Sequence, residues 1–109
     1  GHLLPPAPQR YIATSLLRDA LAASPWPEAL WGTVIRVAEC ESGLRDGTGL
    51  MDTQARGDDG RAHGLLQVRV DVWPHLEARY ALSSVVGALK AGWEVYLVQG
   101  AAAWSCWDE

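Results

Sequence analysis

Glu41, in the run Cys40-Glu41-Ser42-Gly43, is the residue whose type and position point most directly to chemistry. Val37, Val34 and Leu30 lie four, seven and eleven residues before it, the spacing that stacks side chains along one side of an α-helix. The pattern therefore sets a carboxyl group on an apolar face. Partly apolar surroundings disfavour the charged form and raise the pKa, which lets a glutamic acid keep its proton and act as a general acid. Glu39 falls on the opposite, solvent side and serves as an ordinary surface acid for comparison. The plainer account of Glu41 is a helix-terminal acid at the rim of the core, its charge met by one of the eight arginines.

Asp58 is the second carboxyl of interest. Two carboxyl groups can divide acid and base work between them, whereas one glutamic acid suffices when the attacking group belongs to the substrate itself. The plainer account makes Asp58-Asp59-Gly60 a turn, with Asp bonding its own backbone and Gly supplying a positive φ. Gln67 interrupts the apolar stretch Leu65-Leu66-Gln67-Val68, and an amide buried there needs a partner. Ser42 reads as a capping or orienting hydroxyl and not as a nucleophile, since the chain has no Gly-x-Ser-x-Gly elbow. Asp52, Asp58 and Asp59 lack the one-three-five spacing of a calcium loop, so neither a metal nor a cofactor is expected. Arg56-Gly57-Asp58 spells an adhesion tripeptide, a match short enough to arise by chance.

A helix ending in Glu41-Ser42-Gly43, a polar glycine-rich loop, and then Gly64-Leu65-Leu66-Gln67 resembles the lysozyme-like superfamily, in particular soluble lytic transglycosylases and goose-type lysozymes. The stretch from Trp31 to Gly43, with Cys40 just before Glu-Ser-Gly and Cys106 following a Trp near the C-terminus, is also similar to the resuscitation-promoting factor domain of the same superfamily. The resemblance spans residues 27 to 107 or so. It implies a mainly α, α+β lysozyme-like domain that cleaves peptidoglycan at the β-1,4 bond between N-acetylmuramic acid and N-acetylglucosamine. In that reading Glu41 is the catalytic acid and Asp58 matches an acid that in goose-type lysozymes positions the attacking water. Gln67 hydrogen-bonds saccharide, with Ser42, Gly64, Leu65 and Trp104 also along the substrate.

The chain departs from the family pattern in two places. Arg69 stands where goose-type lysozymes carry a second Asp, and no Tyr-Asn-Ala-Gly segment is present. Its tail, Ala103-Trp104-Ser105-Cys106-Trp107, is closer to the resuscitation-promoting factor pattern. Lacking the second acid, the chain is expected to act as a lytic transglycosylase that forms a 1,6-anhydro product. The alternatives are a hydrolytic lysozyme using Asp58 and an inactive peptidoglycan-binding module, although a mere binder would be free to replace a buried acid that costs stability.

Cys40 and Cys106 are open to two readings, free buried thiols or a pair, and no His stands at ligand spacing for a zinc site. The resemblance implies the pair. Closing so long a loop restricts the unfolded chain by on the order of 4 kcal/mol in the loop-entropy model, and the bond would pin the tail to the Glu41 helix. Such bonds persist in oxidising compartments, so a secreted or cell-envelope protein is expected.

The elements that must hold these residues fit one small domain. At 109 residues with 49% apolar content and six Trp but no Phe, there is room for a single core in which Trp takes the place of Phe. No apolar run approaches the ~18 residues of a membrane span. A net charge of −4 with scattered arginines argues against nucleic acid as a partner, and a monomer is expected. Gly1-His2, without an initiator Met or hydrophobic signal, reads as a trimmed chain whose targeting segment has been removed. Pro5, Pro6 and Pro8 make residues 1–9 an extended leader, with one domain over 10–109.

Within that domain Tyr11 to Ala23 is predicted as a first helix, with Ile12, Leu16, Ala20 and Leu21 near one face. Pro27 and Glu28 suit the first turn of a second helix, which runs to about Glu41 and stops at Gly43. Residues 43–63, rich in Gly and Asp, form a functional loop or small hairpin, and His63 to Val70 allows a short strand. Asp71 can cap a short helix holding Trp73 and Leu76, with Pro74 in its first turn. A longer helix opens near Ser83 or Ser84, carries Val86, Leu89, Trp93, Tyr96 and Leu97, and ends before Gly100. Trp104 and Trp107 are expected to be core or edge aromatics around Cys106.

Overall fold

The computed structural model describes residues 9–107; all of the expected leader over residues 1–9 except Gln9 lies outside them. The described chain is an α+β domain of four α-helices and two small antiparallel sheets. In order these are β1 (Tyr11–Ile12), α1 (Thr14–Ala22), α2 (Glu28–Ser42), β2 (Met51–Asp52), β3 (Arg56–Gly57), β4 (Ala62–His63), β5 (Val68–Arg69), α3 (Pro74–Arg79) and α4 (Val85–Gln99), followed by a 3₁₀ turn over Gly100–Ala103. Strands β1 and β2 pair, as do β3, β4 and β5 in that order.

Helix α2 follows its sequence signals closely. Pro27 is extended at its N-cap, Glu28 meets the positive end of the helix dipole, and Gly43 leaves the helix in an extended conformation. Val34, Ile35, Val37, Ala38 and Ser42 form its buried face. Helix α4 opens as expected at Ser84, whose side chain accepts from the Gly87 N–H, and ends at Gly100. Its buried stripe is Ala88, Leu89, Ala91, Gly92 and Val95, which turns Val86 and Leu97, expected on the core face, outward at 56% and 63% exposed.

Gly92 sets how closely α4 can approach. A Cβ there would lie 2.4 Å from Leu66 Cδ1, so a side chain at this position would force the buried Leu66 to repack. Around this contact the tryptophans build much of the core. Trp26 is buried and lies 5.1 Å from Trp93, 5.3 Å from Tyr96 and 6.2 Å from Trp107 between ring centroids. The indole N–H groups of Trp26 and Trp104 donate to the carbonyls of Leu89 and Leu66, so these large rings are buried with their polar handles satisfied.

The first helix is shorter than predicted. Tyr11 and Ile12 form β1 instead, pairing with Asp52 and Met51, because the strand lets Ile12 enter the core while Tyr11 stays outside. Helix α1 then begins after Ala13, whose carbonyl accepts from the N–H groups of Leu16 and Leu17. His63 to Val70 is likewise not one strand but the ends of β4 and β5 joined by a turn, since Gly64 and Gln67 both take positive φ. Asp71 does not cap α3; its carboxylate binds Arg69, the N-cap is Trp73, and Pro74 occupies the first turn as predicted. No helix among the described residues is long and apolar enough to cross a membrane.

Candidate functional site

The C-terminal turn of α2 carries Glu41 to the edge of a groove of about 420 Å³. Glu41 is half-buried, and its carboxyl pKa is raised by that burial. Among the described residues no cation pairs with it, so nothing offsets the cost of ionising it. The carboxyl can therefore hold a proton at the wall of an open cleft and release it to a ligand. Glu39, two positions earlier, is exposed.

Opposite α2, the three-stranded sheet supplies the other wall. Its register places Gly57, Ala62 and Arg69 side by side across β3, β4 and β5, and all three line the groove. The two small residues leave the space that Arg69 borders. Arg56 and His63 occupy the alternate positions and line a separate hollow of about 440 Å³, where His63 Nδ1 lies 3.0 Å from Glu77 Oε2.

Asp58 both makes the turn and lines the groove. Asp58, Asp59 and Gly60 all have positive φ, and the turn is closed by the Gly60 N–H donating to the Gly57 carbonyl. The Asp58 side chain is 42% exposed and held from two sides, by Arg61 Nη2 at 3.1 Å and Arg69 Nη1 at 2.7 Å. Arg69 also reaches Asp71 at 2.6 Å, and its hydrogen bond holds that carboxyl below the ordinary carboxylate range. In the sequence Arg69 stands out only as the replacement for a second acid. Its place in the groove between two carboxylates depends on strand register, a long-range property that one-dimensional spacing does not carry.

Gln67 also lines the groove. Its amide nitrogen donates to the carbonyls of Ala55 at 3.0 Å and Gly64 at 2.8 Å, so the donors are committed to the backbone. Its Oε1 lies against Gly57, where a Cβ would sit 2.5 Å away, and is the atom left to accept from a ligand. Trp104 closes the floor, buried yet with an edge in the groove, beside Ala103 and Ser105.

Three residues expected along the substrate stand elsewhere. Ser42 is 4% exposed and its hydroxyl donates to the Ala38 carbonyl within α2. Leu65 is fully buried in the core. Gly64 borders the His63 hollow, and its positive φ together with the Leu82 carbonyl, 2.3 Å from where a Cβ would stand, requires glycine there. These three shape the turn and the helix end that carry Gln67 and Glu41.

Cys40 and Cys106 are joined by a disulfide, with 6.0 Å between their Cα atoms. The bond ties the helix that bears Glu41 to the segment that bears Trp104. Among the described residues no group of three or more His, Cys, Asp or Glu side chains is arranged to hold a metal ion. Compared with known proteins, the chain matches no family model, no curated protein and no solved structure.

Proposed function

We propose that the groove is the active site of a peptidoglycan-cleaving glycosidase with a lysozyme-like fold, acting on the β-1,4 bond between N-acetylmuramic acid and N-acetylglucosamine. The observation that carries this reading is the half-buried Glu41 carboxyl, raised in pKa by burial and without a counter-charge among the described residues, in a groove that also gathers Asp58, Gln67 and Trp104. A structural acid at a helix end would be matched by a cation or moved to solvent.

In the proposed reaction Glu41 donates its proton to the glycosidic oxygen as the bond from that oxygen to the muramic C1 breaks. The 6-hydroxyl of the same sugar attacks C1, closes a 1,6-anhydro ring and returns its proton to the Glu41 carboxylate, so the acid is regenerated and no water is consumed. Gln67 Oε1 accepts from the sugar and Trp104 offers it an aromatic edge. The hydrolytic alternative has Asp58 hold a water in place of the sugar hydroxyl. Each Asp58 oxygen already accepts from an arginine, which favours the route that needs one acid. The disulfide fits a secreted or cell-envelope protein.

The test is clearance of purified cell walls by Glu41→Gln and Glu39→Gln variants. Glu41→Gln keeps shape and hydrogen bonding but has no proton to give, so it should fold and lose nearly all cleavage, while Glu39→Gln stays near wild type. An active Glu41→Gln protein would sink the assignment of Glu41 as the acid, and a wild type that binds cell walls without clearing them would leave a binding module as the better reading.

A further inference from the structure

The groove contains a basic side chain, Arg69, whose guanidinium is committed on both sides. Its Nε and Nη2 donate to the two oxygens of Asp71 at 2.8 and 2.6 Å, and Nη1 lies 2.7 Å from Asp58 Oδ2. The two carboxylates come from different parts of the sheet. Asp71 is in the turn just after β5, two residues on from Arg69, whereas Asp58 stands at the far end of the row, where the chain leaves β3. The guanidinium therefore reaches across β4, and the row it crosses, Ala62 and Gly57, offers nothing larger than a methyl group. A planar fork with five N–H donors holds two carboxylates at once in fixed directions, which the point charge of an ammonium does not do.

We propose that Arg69 determines which group attacks: by holding Asp58 it denies the site a base for water and leaves the substrate's own hydroxyl to react. The proposal rests on the glycosidase reading of the groove and makes Arg69 a positioning residue, acting through Asp58. Attack by water on C1 needs an acceptor for the proton that the water sheds. Asp58 Oδ2 accepts from Arg69 and Oδ1 from Arg61 at 3.1 Å, so a water competes with an arginine at either oxygen. The two arginines differ in what they hold. Arg61 belongs to the same turn and also donates from Nε to the Asp58 carbonyl, so it travels with Asp58. Arg69 is anchored by Asp71 outside that turn, and so fixes the carboxylate relative to the sheet. Without Arg69, Oδ2 is open to water. The water oxygen then bonds to C1 as the glycosidic bond breaks, Glu41 protonates the departing oxygen, the water's proton passes to Asp58, and solvent returns both carboxyls to their starting states.

The ratio of products tests this. Digests of purified glycan strands are treated with borohydride and weighed by mass spectrometry against an undigested blank, because a hydrolysed end is reduced and an anhydro end is not. The wild type should add anhydro ends. Arg69→Gln should raise the hydrolysed fraction by about tenfold or more, the scale of one hydrogen bond to a charged group. Arg69→Lys, which keeps the charge but not the fork, should fall between the two, and adding Asp58→Asn to Arg69→Gln should remove the hydrolysed ends and leave the anhydro ones. Loss of folded protein lowers the yield without shifting the ratio, and the lysine variant guards against a glutamine variant that does not fold. Hydrolysed ends from the wild type, anhydro ends alone from the Arg69 variants, or hydrolysed ends that persist in the double variant would overturn the role of Arg69 and leave the glycosidase standing. If the wild type opens no glycosidic bond, the glycosidase reading itself fails and the role of Arg69 falls with it.

Discussion

The Glu41 carboxyl holds its proton more tightly than a free glutamic acid because burial removes water from it, and among the described residues no cation pairs with it. Its pKa when folded lies above its unfolded value, so folding takes up a proton, and the penalty for ionising it is absent where both states are protonated. The penalty grows as pH rises through the unfolded value towards the folded one. Glu41→Gln should therefore melt higher than wild type near about pH 7, and the gap should close below the ordinary carboxylate range of about pH 4; thermal scans across pH read this directly. The same carboxyl predicts cleavage that declines as pH rises through its raised pKa. At Asp58 the expectation is milder. Asp58→Asn keeps the turn but loosens Arg61 and Arg69, so it should retain measurable cleavage with the same anhydro-muropeptides by mass spectrometry. Reducing-end products from the wild type that vanish in Asp58→Asn would instead establish the hydrolytic route.

Helices α2 and α4 were legible because their ends carry local punctuation: Pro27 and Gly43 for one, Ser84 and Gly100 for the other. The stripe from Leu30 to Glu41 read correctly for the same reason, since 3.6-residue periodicity is a local property. The strands were legible only as a region: a small hairpin within residues 43–63 and a short strand within 63–70 were expected, and β2 to β5 fall there, but their bounds and β1 were not foreseen. Each strand is two residues long, too short for alternation to show, and β1 pairs with a partner some forty positions away. Asp58 was visible as a turn residue and as a site candidate, but the arginine pair that clamps it appears only once β5 lies beside β4. The turn itself invites a change. Asp58 and Asp59 both hold positive φ at the start of the four-residue loop, 58–61, between the paired Gly57 and Ala62. Asp59→Val, which puts a β-branched side chain at positive φ, should lower the melting temperature, whereas Asp59→Gly should change it little because relief of strain is offset by the freer unfolded chain.

For the molecule as a whole, the groove is made by parts that meet only through tertiary structure: the end of α2, one row of a small sheet, and the segment after α4. The disulfide joins the first of these to the last. Reduction should lower the melting temperature markedly, since the bond closes a span of 66 residues worth about 4 kcal/mol in the loop-entropy model, and intact mass with and without reductant should differ by two hydrogens. The covalent connectivity also has a topological side. From Cys40 to Cys106 the chain is a closed ring that contains the three-stranded sheet, α3, α4 and nearly the whole groove, while α1 and most of α2 stand outside it as a single arm. A backbone cut at the exposed bend from Arg45 to Gly49 opens the ring but severs nothing. The two pieces remain one molecule, held at Cys40, with Glu41 still beside Trp104. A nick in this exposed bend therefore leaves the groove's two walls covalently joined.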